Sequence, residues 1–196
     1  MHNMAHSLSA YLGFYEKKQY LWEACEDHKV KLIALRALFE SSLAISEENS
    51  IPVKVLYEHA EDLLFRFGNK ALGDTVERVG KDPVRKLSKN DRMIGAGIMC
   101  QKYGIEPVFI SVGIAAGFVF TPPNDEMAAK VQKSISEKGI AGAISEFCKI
   151  DASNGMFEMV VNFYNMFKQG ADLKEIIENA ERLNNKITNQ KHYNEK

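Results

Sequence analysis

Two groups of residues have the types and spacing to do chemistry. Asn3 and His6 stand three apart, so on a helix their amide and imidazole share one side of a turn. Both can donate hydrogen bonds to one oxygen, which suits a carbonyl or alkoxide whose charge changes during a reaction. The second group is the segment 66–92, with eight basic and four acidic residues in a chain of formal net charge −1. Gly68, Gly73, Gly80 and Pro83 interrupt it, so it is not one long solvated helix. A turn-rich segment that gathers guanidinium and ammonium groups is how a protein builds an anion pocket. Arg78, Arg85 and Lys86 are the candidates to hold a dianion, each charge-assisted bond contributing about 1.5–3 kcal/mol. Alternatively they pair with Asp74, Glu77, Asp82 and Asp91 as exposed salt bridges, each worth at most about 1 kcal/mol. Arg85 and Lys86 are neighbours, so on any regular element they point apart.

The elements that must position these groups read as helices throughout, with no convincing two-residue alternation. Tyr20 to Ser46 repeats apolar residues at helical spacing, and Pro52 opens a pattern that ends at Gly68. Ser88 to Asp91 resembles a capping box for a helix running to Tyr103. Pro107 and Pro123 mark further starts, and Gly139 and Gly155 divide the last third. Pro107 to Phe120 is about 14 residues long, too short to span a bilayer, and its valine, isoleucine and phenylalanine content would also suit a buried strand. Met156, Met159, Val160, Phe163 and Phe167 form an apolar stripe expected to pack in the core. The tail from Leu173 is amphipathic to Ile187, then polar and expected to fray. One all-α domain over residues 1–196 is the expectation.

Several functions are excluded or weakened. No GxGxxG follows a strand pattern: Gly95 and Gly97 share the first spacing, but Cys100 takes the third place. No GxxxxGK[ST] or GxSxG occurs. Cys25, Cys100 and Cys148 are odd in number and far apart, so buried free thiols are expected. His2 and His6 could share a helix face, but the HNMAH spacing lacks the glutamate of a zinc hydrolase. His28 and His59 are expected at the surface. Near-zero net charge argues against a nucleic-acid partner, and no secretory signal or membrane segment is visible, so a cytoplasmic protein is expected.

Asn3-x-x-His6 followed by Ser9-Ala-Tyr-Leu-Gly13 resembles the core of the Lys-x4-Asn-x2-His signature of the polyol-specific long-chain dehydrogenases. Arg66-Phe67, Asn69, Asp74-Thr-Val-Glu-Arg78-Val-Gly80, Pro83, Arg85-Lys86-Leu87 and Asp91-Arg92 are similar to the mannitol-1-phosphate 5-dehydrogenase branch. Gly113-Ile-Ala-Ala116 and Glu137-Lys-Gly139 also look like it. The resemblance covers essentially the whole chain. It implies the C-terminal, all-α substrate domain of such an enzyme, of the 6-phosphogluconate dehydrogenase C-terminal-like kind. It further implies NAD held by an N-terminal Rossmann domain outside this chain, with no NAD binding by the chain itself. The signature lysine, the family's general base, would stand five positions before Asn3, upstream of Met1. By that resemblance Asn3 and His6 hold the developing alkoxide while Arg78, Arg85 and Lys86 receive a sugar phosphate, and the chain alone is inactive. Hexuronate or unphosphorylated polyol oxidoreductases, and a non-catalytic helical binding module, are the alternatives. A separate Rossmann half or self-association is the expected partner.

Overall fold

The computed structural model describes residues 1–194, with side chains to Lys186. Its eleven α-helices are α1 (His2–Tyr15), α2 (Leu21–Glu26), α3 (His28–Asn49), α4 (Val53–Phe67), α5 (Val76–Gly80), α6 (Pro83–Lys86), α7 (Ile94–Lys102), α8 (Val108–Phe118), α9 (Glu126–Cys148), α10 (Gly155–Lys168) and α11 (Leu173–Asn194). A 3₁₀ turn, Lys70–Leu72, lies between α4 and α5. Among the described residues the only β pairing is one antiparallel bridge, Tyr20 to Thr75. The all-α expectation therefore holds. The expected fraying of the polar tail concerns residues 188–196, whose side chains lie outside the described residues.

α8 is the axis of the molecule. Every one of its residues is buried, and α1, α3, α7, α10 and α11 pack on it. A helix that is apolar all round is stable only when enclosed, which explains why the strand-like composition of 107–120 yields a helix. Its first turn is closed from a distance by Glu40 of α3. The two carboxylate oxygens accept from the amides of Phe109 (2.8 Å) and Ile110 (3.0 Å), satisfying donors that a buried helix start would otherwise leave orphaned. Burial pushes the Glu40 carboxyl up to about 8, against the pull of these amides.

Two glycines let α1 lie close on α8. A Cβ at Gly113 would sit 2.5 Å from Leu8 Cδ1, and one at Gly117 would sit 3.0 Å from Tyr11 Cε2. The stripe from Met156 to Phe167 on α10 packs into the same core. Cys25, Cys100 and Cys148 are buried free thiols, as their spacing suggests.

Two sequence expectations about helix limits need correcting. The run from Tyr20 to Ser46 is two helices, because Asp27 accepts from the amides of Lys29 and Val30 and starts α3 afresh. Ser88 does not cap the next helix either. The Asp91 amide donates to the Ser88 backbone carbonyl in a turn, the Asp91 carboxylate is occupied by Arg92, and α7 begins only at Ile94. Gly139 does divide its helix, breaking α9 with φ 69° and ψ 175°.

The strap between α4 and α5 is pinned to α2. Leu21 N donates to the Asp74 carbonyl at 2.8 Å and Val76 N to the Gln19 carbonyl at 3.0 Å. The Lys70 ammonium sits 4.1 Å above the centre of the Trp22 ring.

Candidate functional site

α1 presents Asn3 and His6 one turn apart. Asn3 is exposed, its Oδ1 3.2 Å from His2 Nδ1. The His6 ring is sandwiched, with His2 stacked at 5.6 Å and Phe67 tilted at 4.9 Å between ring centres. Its Nε2 lies 3.4 Å from Asp74 Oδ2. Burial, then the charges of His2, Arg78, Lys86 and Arg92, hold the imidazole down to about 4. His6 is therefore neutral at pH 7, and its approach to Asp74 is a contact between a neutral ring and a carboxylate rather than an ion pair.

Asp74 precedes Thr75, the residue that caps α5 by accepting from the Arg78 amide at 3.2 Å. From there Asp74 reaches two ways: Oδ2 toward His6, and Oδ1 into an ion pair with Arg78. α5 comes this near α1 because Gly13 has no side chain. A Cβ there would meet Ala24 at 2.6 Å and Val76 at 2.9 Å.

α6 carries the other two predicted cations. Asp82 caps it from a left-handed conformation (φ 62°), accepting from the Arg85 amide, while its own amide donates to Asp125 at 2.8 Å. As adjacency requires, the two side chains part. Arg85 is half exposed and pairs with Asp82 (3.1 Å) and Asp91 (3.5 Å). Lys86 is only 5% exposed, and its Nζ donates to the Lys81 backbone carbonyl. Burial first, then Arg85 and Arg92, lower the ammonium to about 8.

Of the predicted residues, Asn3, His6, Arg78 and Lys86 are thus drawn to one region, the two cations close enough to act on His6. Arg85 is held outward by acidic partners. Arg92, only 20% exposed and pairing with Asp91 at 2.7 Å, joins the region and was missed among the candidates. Its burial depends on the turn at 88–93, for which charge pattern gives no signal. Tyr11 and Ser7, on the same helix as His6, have buried hydroxyls with no hydrogen-bond partner. The field of Arg92 and Arg85 reaches the Tyr11 hydroxyl. The sequence signal for Asp74 was available: an acid just before a threonine cap and four residues before an arginine.

A cleft of about 300 Å³ opens beside Arg78, lined by Thr75, Glu77, Lys81, Pro122, Asn124 and Asp125. A larger cleft of about 670 Å³ lies at the other end of α1, against Phe14, Lys17, Lys18 and Val119. Neither His6 nor Lys86 lines either cleft, and of the predicted cations only Arg78 does, in the smaller one. Among the described residues no group of three His, Cys, Asp or Glu side chains could hold a metal ion. No described strand leads into a glycine-rich helix start, so these residues do not fit a dinucleotide pyrophosphate. No described helix is long and apolar enough to cross a membrane.

Comparison with known proteins gives one consistent answer. The family model described as mannitol dehydrogenase C-terminal domain matches residues 1–192. A mannitol-1-phosphate 5-dehydrogenase of Thermoanaerobacter pseudethanolicus is 36% identical over 167 residues, covering 85% of this chain and 43% of that protein. One of Clostridium acetobutylicum is also 36% identical, over 85% of this chain and 44% of its own length. One of Caldanaerobacter subterraneus subsp. tengcongensis is 34% identical over 83% of this chain and 42% of its own. The chain spans less than half the length of these curated relatives.

Proposed function

The chain belongs to the mannitol dehydrogenase C-terminal domain family, and we propose that it is the substrate-binding part of an NAD-dependent mannitol-1-phosphate 5-dehydrogenase, interconverting mannitol 1-phosphate and fructose 6-phosphate. The observation that carries this reading is the link from His6 through Asp74 to Arg78, with Lys86 and Arg92 adding positive charge that acts on His6. Bound NAD supplies the hydride acceptor, and it belongs to a separate Rossmann half, because the residues described here make no dinucleotide turn. Catalysis needs that half, and the chain alone is inactive.

Within this chain the roles divide by chemistry. Asn3 and His6 meet the reacting end of the polyol, where the amide can hold an oxygen of growing negative charge. Lys86, Arg78 and Arg92 receive the phosphate as a cluster of cations, of which Arg78 lines the small polar cleft. Arg85 keeps Asp82 and Asp91 in place rather than binding substrate. Phe65, 84% exposed at the end of α4, and Leu72, 56% exposed in the strap, offer apolar surface for a covering domain.

Calorimetric titration of the chain tests the reading. Mannitol 1-phosphate is expected to bind at least tenfold more tightly than mannitol or a hexuronate, with the preference lost in Lys86→Met. Equal affinity for mannitol and its phosphate, or a preference for the hexuronate, refutes it.

A further inference from the structure

We propose that Asp74 is a positioning residue that fixes which nitrogen of His6 carries the hydrogen, and so decides which hydrogen bond His6 can offer a ligand. Nε2 lies 3.4 Å from Asp74 Oδ2, a close contact, and a carboxylate presents only lone pairs. A ring nitrogen with its own lone pair aimed there would be repelled, so the hydrogen sits on Nε2. The ring is restrained by packing in a three-ring cluster with His2 and Phe67, whose centres lie 5.6 Å and 4.9 Å from it.

Asp74 is itself held. Its backbone carbonyl accepts from Leu21, its Oδ1 pairs with Arg78, and its side chain is 15% exposed. The carboxylate therefore has one oxygen for each neighbour and couples the orientation of His6 to that of Arg78. Of the charged and titratable groups near His6, the Asp74 carboxylate favours a second proton on the ring, while His2, Arg78, Lys86 and Arg92, together with burial, oppose it.

It follows that Nδ1 of His6 is a hydrogen-bond acceptor. The polar contact of the His6 ring runs through Nε2, which leaves Nδ1 available to a ligand. The pair on α1 is then complementary rather than duplicate: Asn3 donates through its amide, and His6 accepts. Such a pair recognises a hydroxyl, which can do both, better than a carbonyl oxygen, which can only accept. The resting site is built for the alcohol form of its ligand. Naming that ligand as a polyol rests on the function proposed above; the position of the hydrogen does not.

Long-range ¹H–¹⁵N spectra of the ¹⁵N-labelled chain at pH 7 read the two nitrogens directly, with His6 identified by its loss in His6→Gln. The expected result is a single form, Nε2 protonated and Nδ1 bare. Arg78→Gln is expected to leave that pattern unchanged. Asp74→Asn is expected to invert it: Arg78 claims the amide oxygen, the new NH₂ faces Nε2, and the hydrogen moves to Nδ1. Asp74→Ala, which leaves no partner at all, is expected to give two averaged nitrogens and serves if Asp74→Asn does not fold. Hydrogen on Nδ1 in the unaltered chain, or an unchanged pattern in the Asp74 variant, overturns the proposal. No substrate is needed, so failure of the mannitol phosphate titration with an intact Asp74 effect sinks the function reading alone.

Discussion

Gly113→Ala and Gly95→Ala make the same chemical change in two helices and are expected to act in opposite directions. At Gly113 the added methyl would lie 2.5 Å from Leu8 Cδ1, 2.6 Å from Leu8 Cγ and 3.0 Å from Met93 Cε. Both neighbours are fully buried, so neither can swing into solvent. Overpacking of this kind costs about 1–3 kcal/mol. Replacing glycine by alanine inside a helix returns about 0.8–1 kcal/mol, leaving a net loss of up to about 2 kcal/mol. At Gly95 the nearest atom to a new Cβ is the Lys89 carbonyl oxygen at 3.9 Å, so only the helix gain remains. Urea denaturation with matched thermal melts measures both. For a chain of this size Gly113→Ala is expected to lower Tm by up to about 8 °C and Gly95→Ala to raise it by up to about 4 °C. Because α1 must back away from α8 in the first variant, the His6 resonances are expected to shift there and not in the second. Gly113→Ala as stable as Gly95→Ala would refute the close α1–α8 approach on which the site's position depends.

Lys86→Met is expected to weaken phosphate binding at least tenfold while stabilising the chain by about 1 kcal/mol at pH 7, since a buried ammonium without a carboxylate partner is replaced by an apolar group; calorimetry and urea titration together check it. Lys86 titrates near 8 when folded, so phosphate affinity is expected to fall as pH rises through 8. His6 has its folded value below the ordinary 6.5, so the stability linked to it is present above 6.5 and lost as pH falls toward 4. His6→Gln is expected to flatten that acid limb of denaturation midpoint against pH, and an unchanged limb would place its cause elsewhere. Glu40 runs the other way: its folded value is raised, so its contribution is complete below 4.5 and lost as pH rises to about 8. Glu40→Ala is expected to remove that alkaline slope and to cost about 2–6 kcal/mol by leaving the Phe109 and Ile110 amides buried without acceptors, as measured by urea denaturation across pH 5–9.

What could be read from the chain was whatever depends on near neighbours. Helical periodicity, the starts at Pro52 and Pro107 and the divergence of Arg85 from Lys86 are local rules, and the structure follows them, whereas Pro123 lies in a turn and Asp125 caps the next helix. The break at Asp27 was also local, a cap residue inside an apolar repeat, and periodicity overrode it. The 107–120 run was ambiguous because its enclosure is a tertiary fact: Glu40 closes its first turn from 69 residues away. The site divides along the same line. Basic residues were visible by composition, but which of them would be buried was set by the turn at 88–93 and by Asp125 holding the Asp82 amide. The link from Asp74 to His6 joins residues 68 positions apart in the chain and could not be read from spacing.

The stacking of Lys70 on Trp22 makes the protein its own optical probe. Trp22 is the sole tryptophan, and the ammonium above it rides on the strap that ends at Asp74. Indole emission responds to a nearby positive charge, so an anion that draws Arg78 away from Asp74 and shifts the strap changes the colour and intensity of that light. Site occupancy and strap movement are then followed in stopped-flow time, with no label attached and no turnover required.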